Sequence, residues 1–136
     1  MPVTAQQAQS SPEDRRMLAA RYLETRGVSR EICAPLAVED YVVQSMADAS
    51  PAKWHLAHVT WFFENFLLTP FLKGYAPFHA GYGYLFNSYY ETVGKFFPRL
   101  QCGLLSRPTV EEIYRYRDHV DRRVRELLDE APASAW

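Results

Sequence analysis

Residues 50–68, Ser-Pro-Ala-Lys-Trp-His-Leu-Ala-His-Val-Thr-Trp-Phe-Phe-Glu-Asn-Phe-Leu-Leu, read as one capped helix too apolar to lie on a protein surface. Ser50 is placed as N-cap, and Pro51 suits the first helical position, where no amide donor is needed. The run is predicted to end at Thr69-Pro70. At about 100° per residue, Trp54, His58, Trp61 and Asn65 share a narrow sector, while Leu56, Phe63 and Phe66 cover another. Two histidines, His55 and His58, are therefore expected inside, with His58 against an aromatic wall. A buried imidazole needs a hydrogen-bond partner or a metal, because an unsatisfied polar group costs about 2 kcal/mol or more.

Such a helix needs other helices around it, and 136 residues suffice for one domain with a real core. Fifteen basic against sixteen acidic side chains leave a net charge of −1, which argues against a nucleic-acid or acidic-lipid surface and favours small neutral partners. Cys33 and Cys102 match no zinc or CxxC pattern and suit a reducing, cytoplasmic setting as small buried hydrophobes. Residues 1–10 have neither the basic start nor the apolar core of a targeting or membrane-spanning segment and read as a flexible tail.

Residues 11–136 then organise as an all-α domain. Ser11-Pro12-Glu13-Asp14 opens a helix carrying Met17, Leu18, Tyr22 and Leu23, with Gly27 as its stop. Ser29 to Leu36 reads as a short separate helix limited by Pro35, and residues 37–49 as connection. Thr109-Val110-Glu111-Glu112 is a capping box, followed by a stripe of Ile113, Tyr116 or Arg117, Val120, Val124, Leu127 and Leu128. Between the second and third long helices, residues 69–108 form a long loop rich in Gly, Tyr and Phe, with a helical turn expected over Leu85–Thr92 and ended by Gly94. Asn87, Tyr89, Tyr90, Arg99 and Arg107 are its candidate ligand contacts; the alternative is a lid that simply covers core.

Chemistry-bearing patterns are sparse. His55 and His58 are spaced to chelate one ion, but two ligands rarely hold a catalytic metal. His79 and His119 read as solvated or structural, and Glu64 faces away from His58. No GxSxG, HExxH or phosphate-cradling glycine pattern occurs. The alternating charges from Arg115 to Glu126, including Arg117, Asp118, Asp121, Arg122, Arg123 and Arg125, read as a solvated face.

Three blocks, in order, carry a resemblance. They are the run from Gln44-Ser45-Met46 through Ala49-Ser50-Pro51-Ala52-Lys53-Trp54-His55-Leu56-Ala57-His58 to Glu64, then Leu85-Phe86-Asn87-Ser88-Tyr89-Tyr90-Glu91-Thr92-Val93-Gly94, then Gly103-Leu104-Leu105-Ser106-Arg107-Pro108-Thr109. Together they resemble the N-terminal part of the ergothioneine-biosynthesis sulfoxide synthases, the EgtB family. The resemblance implies a DinB-like up-down bundle, normally of four helices, here with three long helices, the fourth missing, and a long aromatic-rich loop. It also implies non-haem Fe(II) and O₂ chemistry joining the sulfur of cysteine or γ-glutamylcysteine to the imidazole of hercynine.

By position, His58 matches the family's first iron ligand, while His55 falls where members vary. The other two ligands belong to a later His-x-x-x-His-x-Glu motif, which the sequence through Trp136 does not contain. His119 cannot replace it, because Arg123 stands at i+4. Arg99 is the nearest match to the arginines that hold the donor's carboxylate, with Arg107 a second substrate contact; Cys102 stands where many relatives have arginine.

The resulting expectation is a domain that binds iron weakly or not at all alone, has no catalytic residue of its own, and exposes an apolar groove beside His58. A later part of the same gene product, a second copy or a partner subunit would fill that groove. The alternative functions are a stand-alone DinB-like metal-dependent thiol transferase and a non-catalytic helical binding module.

Overall fold

A computed structural model describes residues 11–130, so the flexible tail expected over residues 1–10 lies outside the described residues. The chain forms α1 (Pro12–Cys33), a 3₁₀ turn (Val38–Val42), α2 (Ala52–Phe63), a π-helical turn (Glu64–Leu68), α3 (Thr69–Phe71), α4 (Tyr82–Leu85), a second 3₁₀ turn (Arg99–Leu104) and α5 (Val110–Glu130). The protein is all-α: among the described residues there is no strand, only an isolated bridge between Met46 and Ala49. No helix among them is long and apolar enough to cross a membrane.

Local signals place both outer helices. The Ser11 side chain accepts from the Asp14 amide at 3.1 Å while the Asp14 carboxylate accepts from the Ser11 amide at 2.9 Å. Thr109 and Glu112 repeat the reciprocal pair at the start of α5, where Ile113, Tyr116, Arg117, Val120, Val124, Leu127 and Leu128 are all buried. Gly27 does not stop α1. The helix runs through it to Cys33 and absorbs the short helix expected from Ser29, because Arg26 and Cys33 are buried on either side of the glycine and tie both halves to the core.

The second long helix differs at both ends. Its N-cap is Pro51, whose carbonyl accepts the first helical bond from the His55 amide at 3.1 Å, and the Ser50 side chain caps nothing. Nor does the helix end at Thr69-Pro70. The π turn shifts the hydrogen-bond register by one residue, with the Thr69 amide and hydroxyl both donating to the Glu64 carbonyl. Pro70 then stands in the first turn of α3, where its missing amide hydrogen is tolerated. The helical turn expected over Leu85–Thr92 is displaced to α4, and Phe86 onward is a compact loop.

α5 lies against both α1 and α2, and α1 meets α2 through side chains, with the Tyr22 ring edge-on to Phe63 at 4.8 Å. A polar layer joins all three. From α1, Arg26 donates to Asp121 of α5 at 2.7 Å and to the Thr60 hydroxyl of α2 at 2.7 Å; Tyr22 donates to the same Asp121 oxygen at 2.6 Å. Arg117 donates to the Leu56 carbonyl at 3.1 Å, to Thr60 at 3.3 Å and to the Arg26 carbonyl at 3.2 Å. The charge run on α5 is therefore not wholly a solvated face. Arg117, 0% exposed, falls on the apolar stripe between Ile113 and Val120, while Arg115, Asp118, Arg122 and Arg125 remain outside. Burial pushes the Arg117 guanidinium down to about 10, and the neighbouring Arg26 charge adds to the shift.

An apolar groove runs along the seam between α1 and α2. One stretch, about 280 Å³, is lined by Ile32, Cys33, Ala52, His55, Leu56 and Val59; another, about 300 Å³, lies between Leu18, Tyr22 and Phe63. The two helices are thus antiparallel, and Val59 and Phe62 of α2 and Phe66 of the π turn stand exposed.

Candidate functional site

The aromatic sector of α2 is folded as its spacing requires. His58 is sandwiched between Trp54, with ring centroids 4.9 Å apart and planes 7° from parallel, and Trp61, at 5.7 Å and 22°. Its Nδ1 lies 2.7 Å from the Phe86 carbonyl oxygen. A carbonyl can only accept, so Nδ1 carries the proton in that bond, and in the neutral form of the ring Nε2 presents a lone pair. No hydrogen bond from the described residues engages Nε2. Metal-ligating histidines commonly have their second ring nitrogen held in this way by a backbone carbonyl.

His55, expected inside, is exposed, because it sits on the face of α2 turned to the α1 groove. Partial burial lowers its basicity first, and the charges of His58 and Arg99 lower it further.

The loop candidates divide. Asn87 is not a free ligand contact: its amide nitrogen donates to the Tyr90 carbonyl at 3.1 Å and the Gly94 carbonyl at 3.3 Å, and its oxygen accepts from the Tyr90 amide at 3.2 Å. Those bonds consume the side chain, which is 1% exposed. Tyr90 packs against Phe66, Trp61 and Phe62 at 5.2, 5.8 and 6.1 Å, and so joins the aromatic wall one ring beyond His58. Tyr89 is exposed with φ of 58°, its ring edge-on to Phe96 at 5.5 Å. Arg99 donates to the Asp48 carbonyl at 2.7 Å and its charge reaches His55. The charge of Arg107 acts instead on Lys53, which donates to the Leu105 carbonyl at 2.8 Å and whose basicity is lowered by burial and then by Arg107.

The remaining candidates pack on aromatic rings or lie in the core. His79 stacks on Tyr82 at 4.5 Å and accepts from the Gly81 amide at 3.0 Å. His119 lies against Phe78 at 5.2 Å and Tyr75 at 6.0 Å, with Nε2 buried and unpartnered. Both cysteines are free and buried, and burial pushes the Cys102 thiol up, away from reactivity.

One feature escaped the sequence reading. Glu64, 3% exposed, accepts from the Tyr75 hydroxyl at 2.6 Å, the Phe78 amide at 2.7 Å and the Tyr116 hydroxyl. A lone acid in an apolar run was the available signal, since a buried carboxylate must collect donors.

A metal requires more than His58. Among the described residues, no group of three or more His, Cys, Asp or Glu side chains is placed to share an ion. His58 fits one coordination position, and the described residues do not fit a complete site.

The DinB superfamily model matches residues 21–136. This chain belongs to the DinB superfamily. The DinB match begins within α1 and takes in α2 through α5, the whole element set that builds the His58 sandwich. No curated protein matches the chain.

Proposed function

We propose that this DinB domain is the N-terminal part of a sulfoxide synthase of the ergothioneine-biosynthesis type, which uses non-haem Fe(II) and O₂ to join a cysteine or γ-glutamylcysteine sulfur to hercynine. The observation that carries the reading is the state of His58: Nδ1 is committed to the Phe86 carbonyl, the ring is clamped by two indoles, and Nε2 is free to ligate. The three sequence blocks support it, because the fold ties them to one another. The first supplies Trp54, His58 and Trp61, the second supplies the Phe86 carbonyl, and the third packs through Gly103 against Gln44, whose side chain accepts the Gly103 amide at 2.7 Å.

The role of the described residues is to hold one ligand and, through Arg99 and Arg107, to present cations to the donor's carboxylate. The other ligands would come from outside residues 11–130. The test begins with the coding sequence beyond the Trp136 codon, where His-x-x-x-His-x-Glu is expected. The gene product is then supplied with Fe(II), O₂, hercynine and each thiol. A hercynine–thiol sulfoxide, identified by mass spectrometry and absent without O₂, is the expected result. Thiol transfer that runs without O₂ contradicts the reading.

A further inference from the structure

We propose that Trp54 is a positioning residue for His58, acting through a pair of consecutive backbone carbonyls. Trp54 and His58 are one helical turn apart on α2, and each sends a ring N–H to the end of α4: Trp54 Nε1 to the Leu85 carbonyl at 2.9 Å, His58 Nδ1 to the Phe86 carbonyl at 2.7 Å. The two bonds form a clasp across 28 or more residues of sequence. The indole that stacks, nearly parallel, on the imidazole thus holds the Leu85 carbonyl, one residue before the Phe86 carbonyl that accepts from His58, and fixes the backbone from which that carbonyl projects. Both sides of the clasp are anchored. Upstream, Glu64 accepts the Phe78 amide; downstream, Asn87, directly after Phe86, ties itself to Tyr90 and Gly94. Trp61 has only a stacking role, at 5.7 Å on the opposite face. One indole therefore sets the tautomer while the other only limits ring rotation.

This inference rests on the reading of His58 as a ligand, but it is tested without metal or turnover. Long-range ¹H–¹⁵N correlation spectra of the ¹⁵N-labelled protein at pH 8.5, where free imidazole side chains are neutral, report the tautomer of each histidine. His58 is expected as the Nδ1–H form. Trp54→Phe keeps an aromatic face but removes the donor, and is expected to shift the ratio about fivefold toward Nε2–H, the equivalent of one net hydrogen bond of about 1 kcal/mol. Trp61→Phe, which keeps its stacking face, is expected to leave the tautomer unchanged. Should Trp54→Phe fail to fold, benzothienylalanine at position 54 keeps the bicyclic shape and deletes only the N–H. A folded donor-deleted variant with the wild-type tautomer overturns the positioning role and leaves the ligand assignment intact. A wild-type His58 found as Nε2–H overturns both.

Discussion

Glu64 and His58 lie on the same helical run and were read from the same apolar segment, yet only His58 declared its surroundings in advance. The tryptophans at i−4 and i+3 stack on it by helical geometry alone, so the aromatic wall was legible. The Phe86 carbonyl was not, because it arrives from a distant loop that no local rule places. Glu64 was read only as facing away from His58, whereas its three donors come from Tyr75, Phe78 and Tyr116. Glu64→Gln keeps the shape but loses the charge-assisted bonds, and is expected to lower unfolding stability by about 2–3 kcal/mol in urea titration. His119 gives a pH prediction. Burial, then the Arg122 charge, lowers its basicity, with Arg123 acting the same way and Glu64 and Glu126 opposing. A folded form that binds the proton less readily than the unfolded form is stabilised above the unfolded value near 6.5. Stability is therefore expected to fall as pH drops from about 7.5 through 6.5, and His119→Phe is expected to flatten that slope; an unchanged slope contradicts the assignment.

At the scale of elements, the capping boxes and the α5 stripe were legible because each depends on residues within a few positions. The two glycines that matter most show where such reasoning stops. Gly27 has the local signature of a helix stop, but it sits inside α1 with nothing within 4 Å of a would-be Cβ. Gly27→Ala is expected to stabilise the protein by about 0.5–1 kcal/mol. Gly103 is the opposite case: a Cβ there would stand 2.7 Å from Gln44 Cβ. Gly103→Ala is expected to destabilise by about 1–3 kcal/mol, with both changes read from urea midpoints. The π turn was invisible because nothing in Glu-Asn-Phe-Leu-Leu distinguishes it from an α turn; only Pro70, which the wider turn accommodates, hinted at a change of register.

For the molecule as a whole, α5 is the spine on which α1 and α2 are hung, and the Arg26–Asp121–Thr60–Arg117 layer is the joint. Asp121→Asn removes the carboxylate paired with Arg26, which is 4% exposed, and is expected to cost about 3–5 kcal/mol in equilibrium unfolding. The open α1–α2 groove is the other molecular consequence, and it is lined by His55 and not, as expected from the sequence, by His58, which faces the aromatic wall. The most direct test of the account is the iron content of the complete gene product, reconstituted anaerobically, in wild-type, His58→Ala and His55→Ala forms. One iron per chain in wild type and His55→Ala, with loss in a folded His58→Ala, is the predicted result. Iron retained by His58→Ala, or lost from His55→Ala instead, contradicts it.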